Sequence, residues 1–261
     1  MTIRQSTGLR NHLLSGGSFR SAFNGGTLEI YSGAQPASAD TAPSGTKLVT
    51  ITSASGAHTD EVRATGTATL AGVAGTVTNL KVDGEDLMNG TATFVDTLTN
   101  LAIAVRDIIN RNPHNLRFVA SASVAVVTIT ARPGIGAALN AIGVLATTGA
   151  GGITSTDVDV GNAVAGVTQV NGLKFESASA GSITKLASQT WSGTIAATGT
   201  AGWFRLKGPV ADADATDAAE VVLRLDGSVA VSGGDLNLTS TALVLSATET
   251  ISTFTPTEPA A

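Results

Sequence analysis

Thr65-Gly66-Thr67-Ala68-Thr69-Leu70-Ala71-Gly72-Val73-Ala74-Gly75-Thr76-Val77-Thr78-Asn79-Leu80-Lys81-Val82 places two runs rich in Thr, Val and Leu on either side of a glycine-flanked turn. Side chains branched at Cβ suit a pleated, half-buried surface better than a helix, and Gly72 and Gly75 supply the backbone freedom a tight connection needs. The stretch therefore predicts two short strands, and residues 91–95 predict a third beyond Gly84 and Gly90. Asp83-Gly84-Glu85-Asp86 reads as a hairpin turn in which Gly84 takes the positive φ. The whole chain shares this texture: Thr, Ser, Ala and Gly dominate, with 30 glycines in 261 residues.

Downstream the period changes from two to 3.6. Leu98, Leu101, Ala102, Val105, Ile108 and Ile109 form one stripe of a helix over about 97–111, with Asp96 or Thr97 as cap and Asn112-Pro113 as stop. Residues 118–120 and 124–130 predict two more strands, Pro133-Gly134 a turn, 137–145 an Ala-rich turn of helix, and 153–170 an extended connection. The outline β-β-β-α-β-β makes 62–170 a small α+β module.

Towards the N-terminus, residues 7–23 predict a short helical start, with Leu9, Leu13 and Leu14 on one face, Ser6 or Thr7 as cap and Gly16-Gly17 as breaker. Strands follow at 27–31 and 47–52. From Asn171 onward short strands recur at 173–175, 183–186, 189–195, 202–206, 221–225, 229–231, 236–238, 243–245 and 251–254. Near-regular short strands separated by turns are the pattern of an antiparallel sandwich or barrel. The expected fold is mainly β: an antiparallel β-sandwich or barrel with a short N-terminal helix, built from 1–61 and 171–261 and interrupted by the 62–170 module.

Apolar residues make up 43% of the chain but aromatic ones only 4%, so Trp191, Trp203 and Phe204 stand out as sources of large buried area. Leu9, Leu13 and Tyr31 join them as core or assembly candidates. Charged residues are 13%, against ~25% in ordinary soluble domains, which predicts a neutral surface suited to meeting other protein. The net charge of −5 and 15 scattered Lys and Arg argue against wrapping nucleic acid. There is no cysteine, no apolar leader-like run follows Met1, and the longest apolar stretch, 135–146, falls short of the ~20 residues a bilayer needs.

Reactive constellations are scarce. His12, His58 and His114 lie far apart in sequence, without a second ligand at metal spacing. Gly134-Ile135-Gly136-Ala137-Ala138-Leu139 lacks the third glycine of a dinucleotide loop and reads as a turn. Asp212, Asp214 and Asp217 do not follow EF-hand spacing and are expected to form a solvated acidic loop. Glu29, Glu61, Glu85 and Glu176 offer no paired spacing for acid–base work. The expectation is a non-enzyme with no cofactor, no metal, no small-molecule substrate and no membrane or nucleic-acid partner.

Ser6-Thr7-Gly8-Leu9-Arg10-Asn11, Ile30-Tyr31-Ser32-Gly33, Gln35-Pro36-Ala37-Ser38-Ala39-Asp40, Gly199-Thr200-Ala201-Gly202-Trp203-Phe204-Arg205, Asp226-Gly227-Ser228 and Asp235-Leu236-Asn237-Leu238 together resemble stretches of a family of small virion proteins of tailed bacteriophages. These cover about the first fifty and last ninety residues, while the middle resembles a separate β-rich module common in phage structural proteins. The resemblance implies a structural subunit of the tail or neck, or a capsid decoration protein. Such a subunit is made in the bacterial cytoplasm and located in the virion. Its partners are copies of itself and other virion proteins, and its inserted domain is displayed outward. A host-surface glycan-binding module is the alternative, although 62–170 lacks both Trp and Tyr for stacking on a sugar. A peptidoglycan hydrolase is a third reading, without a carboxylate pair to carry it.

Overall fold

The computed structural model describes residues 3–219 and 221–256, which form two compact units: Met1–Glu61 with Gln169–Ala261, and Val62–Thr168. The fold is mainly β, with antiparallel sheets and few helices. In chain order the first unit contributes β1 (Arg4–Gln5), α1 (Thr7–Leu14), α2 (Phe19–Phe23), β2 (Thr27–Ser32) and β3 (Lys47–Ser53). The second unit follows with β4 (Thr65–Ala71), β5 (Thr76–Val82), β6 (Glu85–Asp86), β7 (Ala92–Thr93), α3 (Leu98–Arg111), β8 (Phe118–Ser123), β9 (Val126–Ala131), β10 (Val144–Thr148) and β11 (Thr154–Val158). The chain then returns to the first unit with β12 (Trp191–Thr194), β13 (Gly199–Lys207), β14 (Arg224–Ala230), β15 (Leu236–Asn237), β16 (Ala242–Leu243) and β17 (Thr248–Ile251).

The first unit is one nine-stranded sheet in the order β1-β14-β13-β2-β3-β12-β17, with β15 beside β14 and β16 beside β13. Its pairings are antiparallel except β14 with β15. Trp191, Phe175, Phe254 and Phe204 meet at ring-centroid distances of 5.1 to 6.2 Å and fill the core with Phe23, Leu28, Ile30 and Leu206. Ser6 caps α1: its Oγ accepts from the Leu9 N–H at 3.1 Å and donates to the Val222 carbonyl at 2.7 Å, tying the helix start to the strand region before β14.

Three local expectations are corrected here. Leu9 is buried and Leu13 partly so, but Leu14 is 86% exposed, because it lies about 100° further round the helix than Leu13. In place of the two strands expected at 221–225 and 229–231 there is one, β14, which starts at Arg224, ends at Ala230 and runs through the turn-like Asp226-Gly227. A Cβ on Gly227 would lie 2.6 Å from the Phe204 ring, so that glycine serves close packing and not a turn. Residues 173–175 and 183–186 form only an isolated bridge, Phe175 with Lys185.

The second unit pairs two four-stranded sheets, β10-β5-β6 with β7 on β5, and β11-β4-β9-β8. Both sheets and one face of α3 share a core of small aliphatic residues around Phe118. Thr97 caps α3 by accepting from Asn100 N at 3.2 Å, and Asn112 and Asn115 satisfy backbone groups at its far end. The helix expected at 137–145 is instead a 3₁₀ turn, Gly136–Leu139, followed by β10, whose Val144-Leu145-Ala146-Thr147-Thr148 is drawn into pairing with β5. The connection expected at 153–170 contains a full strand, β11, on β4. Carboxylates of Asp159 and Asp157 accept from the N–H groups of Val144 and Ala146, covering an otherwise bare edge of β10.

Each unit holds its own ends of the crossing together. Thr59 pairs with Val170 in the first, and Val62 with Val167 in the second. Ends held side by side keep the closure entropy of an inserted unit small.

Candidate functional site

Strand alternation divides the first unit's sheet chemically. On β2, β13 and β14, Leu28, Ile30, Phe204, Leu206, Leu225 and Val229 face the aromatic core. The residues between them, Glu29, Tyr31, Trp203, Arg205, Lys207, Arg224 and Asp226, must face the other way. Register places Arg205 between Glu29 on β2 and Asp226 on β14, so charges of opposite sign sit on neighbouring strands.

The burial of this polar face is unusual. Arg205 and Asp226 are both 0% exposed and meet in a two-pronged pair at 2.8 Å for each bond. Arg224 makes a second such pair with Asp212, its Nε 2.6 Å from Oδ2. Lys207 Nζ lies 2.9 Å from Glu29 and 2.6 Å from Asp214, and Lys47 Nζ lies 2.8 Å from the other Glu29 oxygen. The Tyr31 hydroxyl donates to Glu29 at 2.6 Å, while its ring stacks on Trp203 at 4.5 Å and 11°. Arg205 stands 5.5 Å over the same indole.

Two loops close over the face through backbone carbonyls. Arg205 donates to the carbonyl of Thr41, Trp203 to Ser44, and Arg224 to Ala39 and Ala215. A cleft of about 290 Å³ remains at one side, lined by Glu29, Lys47, His58, Asp60, Lys207 and Asp214 among others.

Burial alone would raise these carboxyls, and the partners decide the outcome. At Glu29, Lys207, Lys47 and Tyr31 outweigh burial and hold the carboxyl below its ordinary value. At Asp212, Arg224 does the same. At Asp226 burial prevails over Arg205 and the carboxyl is pushed up. Burial and the Glu29 charge push the Tyr31 phenol upward, so it stays a donor.

The acidic loop therefore departs from the solvated one expected. Asp212 and Asp214 are ion-paired to Arg224 and Lys207; Asp217 alone is exposed, accepting from Ala219 N. Leu9, Trp191 and Phe204 lie in the aromatic core with Leu13 at its margin, whereas Tyr31 and Trp203 lie on the charged face. The histidines are scattered: His12 bonds Ser21 at 2.9 Å, His58 lies 3.3 Å from Asp60, and His114 is exposed in the second unit. Of the acids weighed for catalysis, only Glu29 joins the network; Glu61 is buried beside Val210, Glu85 pairs loosely with Arg117, and Glu176 accepts from Ala187 N. The glycines at 134 and 136 lead into the 3₁₀ turn. Among the described residues no group of three or more His, Asp or Glu is arranged to hold a metal.

The signal that marks the network is the alternation Trp203-Phe204-Arg205-Leu206-Lys207, cations at every second position of an apolar strand. Chemically the arrangement sets four carboxylates, Glu29, Asp212, Asp214 and Asp226, against four cations, Lys47, Arg205, Lys207 and Arg224. Against known proteins the chain finds no match, either among family models or among curated sequences.

Proposed function

We propose that this protein is a non-enzymatic structural subunit of a tailed-phage particle, part of the tail or neck or a capsid decoration protein. It acts by packing against copies of itself and other virion proteins, with the second unit as a displayed module. The observation that carries this reading is the internal neutralisation of the first unit's polar face. Its strongest charges are spent on one another, in pairs that fix two long loops onto a sheet. A rigid, sparsely charged body is what repeated protein–protein packing requires. The sequence resemblance to virion proteins supplies the particle. Trp191 and Trp203 are fully buried, and of the second unit's two rings Phe118 is buried and Phe94 half-buried, which weighs against a sugar-stacking role.

Mass spectrometry of purified particles, together with sedimentation of the purified chain, tests the reading. The chain is expected in particles and in a concentration-dependent assembly. Its absence from particles, with a monomer at all concentrations, would remove the proposal.

A further inference from the structure

Among the described residues the nine-stranded sheet of the first unit ends at β1 on one side and at β17 on the other, each without a further strand beside it. At β1, Ser6 N donates to Arg224 O at 3.0 Å and Arg4 stands opposite Asp226. Backbone groups alternate in direction along an antiparallel ladder, so those of Ile3 and Gln5 point away from β14 into the open edge. At β17, Ile195 N donates to Ala247 O and Glu249 stands opposite Gly193, which by the same rule turns the backbone groups of Thr248 and Thr250 outward. Thr248-Glu249-Thr250-Ile251 carries neither the lysine nor the proline that usually guards an edge.

Beside β1 runs a groove of about 550 Å³, walled by Ile3, Phe19, Ile183, Leu225 and Pro256, and Arg20 is the one charged residue among those lining it. Beside β17 the complementary features occur. Glu249 is the strand's one charge, and Val244 and Leu245 just before it are 60% and 55% exposed.

We propose that a second copy of this chain occupies the β1 groove through its β17 edge, so that sheets join head to tail. Two different edges of one sheet then form a heterologous contact, which repeats around a ring if the rotation closes. Apolar side chains before β17 enter the groove, and Glu249 answers Arg20 of the neighbouring copy. This rests on the structural-subunit reading and adds to it the surface used.

The full chain is tested by sedimentation velocity across concentration. Gln5→Pro removes an outward N–H from β1, and Thr248→Pro one from β17, without touching a ladder bond. Each variant alone is expected to stop assembly beyond a monomer, whereas the two mixed give a one-to-one pair and nothing larger, since each keeps one competent edge. Should either proline cost the strand signal in circular dichroism, charge reversal decides: Arg20→Glu weakens association about tenfold and Arg20→Glu with Glu249→Arg restores it. Wild-type-like assembly of the proline variants, a mixture that grows beyond the pair, or no rescue by the double reversal overturns the edge assignment. A wild-type chain that is monomeric yet present in particles overturns it too and leaves the structural-subunit reading standing.

Discussion

The two units close their cores by different means. The first gathers Phe19, Phe23, Phe175, Trp191, Phe204 and Phe254 in its core and stacks Tyr31 on Trp203 across a face of buried ion pairs, whereas the second has only Phe94 and Phe118 and relies on Ala, Val, Leu and Ile around α3. Full burial of a Val, Leu, Ile or Phe side chain contributes about 1.5–3 kcal/mol, and aromatic rings add roughly 150–250 Å² of buried surface each together with specific ring–ring contacts. The aromatic unit also carries a desolvated polar face, whereas the aliphatic unit, among its described residues, places its ion pairs at the surface. The difference gives each unit its own vulnerability. It also gives a clean probe: both tryptophans lie in the first unit, so indole fluorescence follows that unit alone.

The largest effect is expected at Asp226. Asp226→Asn leaves Arg205 buried without its counter-charge and is expected to destabilise the first unit by about 3–5 kcal/mol. Urea titration followed by indole fluorescence should shift, while the second unit's share of the circular dichroism transition stays in place; a shift of both would mean that the units unfold as one.

Phe118→Ala reverses the assignment. Deleting the second unit's central ring should cost about 3 kcal/mol or more there, visible by circular dichroism, with the fluorescence midpoint unchanged.

Acid sharpens the contrast. Glu29 and Asp212 are held below their ordinary values of 4.5 and 3.8, so their contribution is complete above those values and is lost as pH falls through and below them. Asp226, pushed up, has the opposite sign and offsets part of this. In the second unit the one displaced carboxyl, Asp96, is fully exposed and screened. Thermal midpoints read by fluorescence should drop on going from pH 5 to pH 3, and Glu29→Gln should flatten that slope. An equal drop in the second unit would contradict the division.

The smallest effect concerns caps. Ser6→Ala in the first unit and Thr97→Ala in the second should each cost about 1 kcal/mol in their own unit, with Ser6 the larger because its hydroxyl also reaches Val222.

Much of the local structure was legible. The stripe from Leu98 to Ile109 marks α3 because a helix repeats its buried face every 3.6 residues, and Thr97 and Asn112 lie at its two ends. The 65–82 stretch marks β4 and β5 through its branched residues and glycines. Less legible was anything decided across the sheet. Asp226-Gly227 has the composition of a turn yet lies inside β14 because of where Phe204 packs, and Asp212 looks solvated in sequence because its partner Arg224 lies beyond the loop, at the start of β14. The charged site was readable only as cations at alternate positions of β13, with no local cue to their partners.

Periodicity, capping and composition act over a few neighbouring residues, so the order of amino acids is enough to specify a mainly β chain with its capped helices and few reactive groups. Tertiary structure decided which charges are buried, which carboxylate meets which cation, and which edges of the sheet stay open. Those outcomes depend on register between strands distant in sequence, and a register is chosen by the packing of the whole sheet and not by any one segment of it.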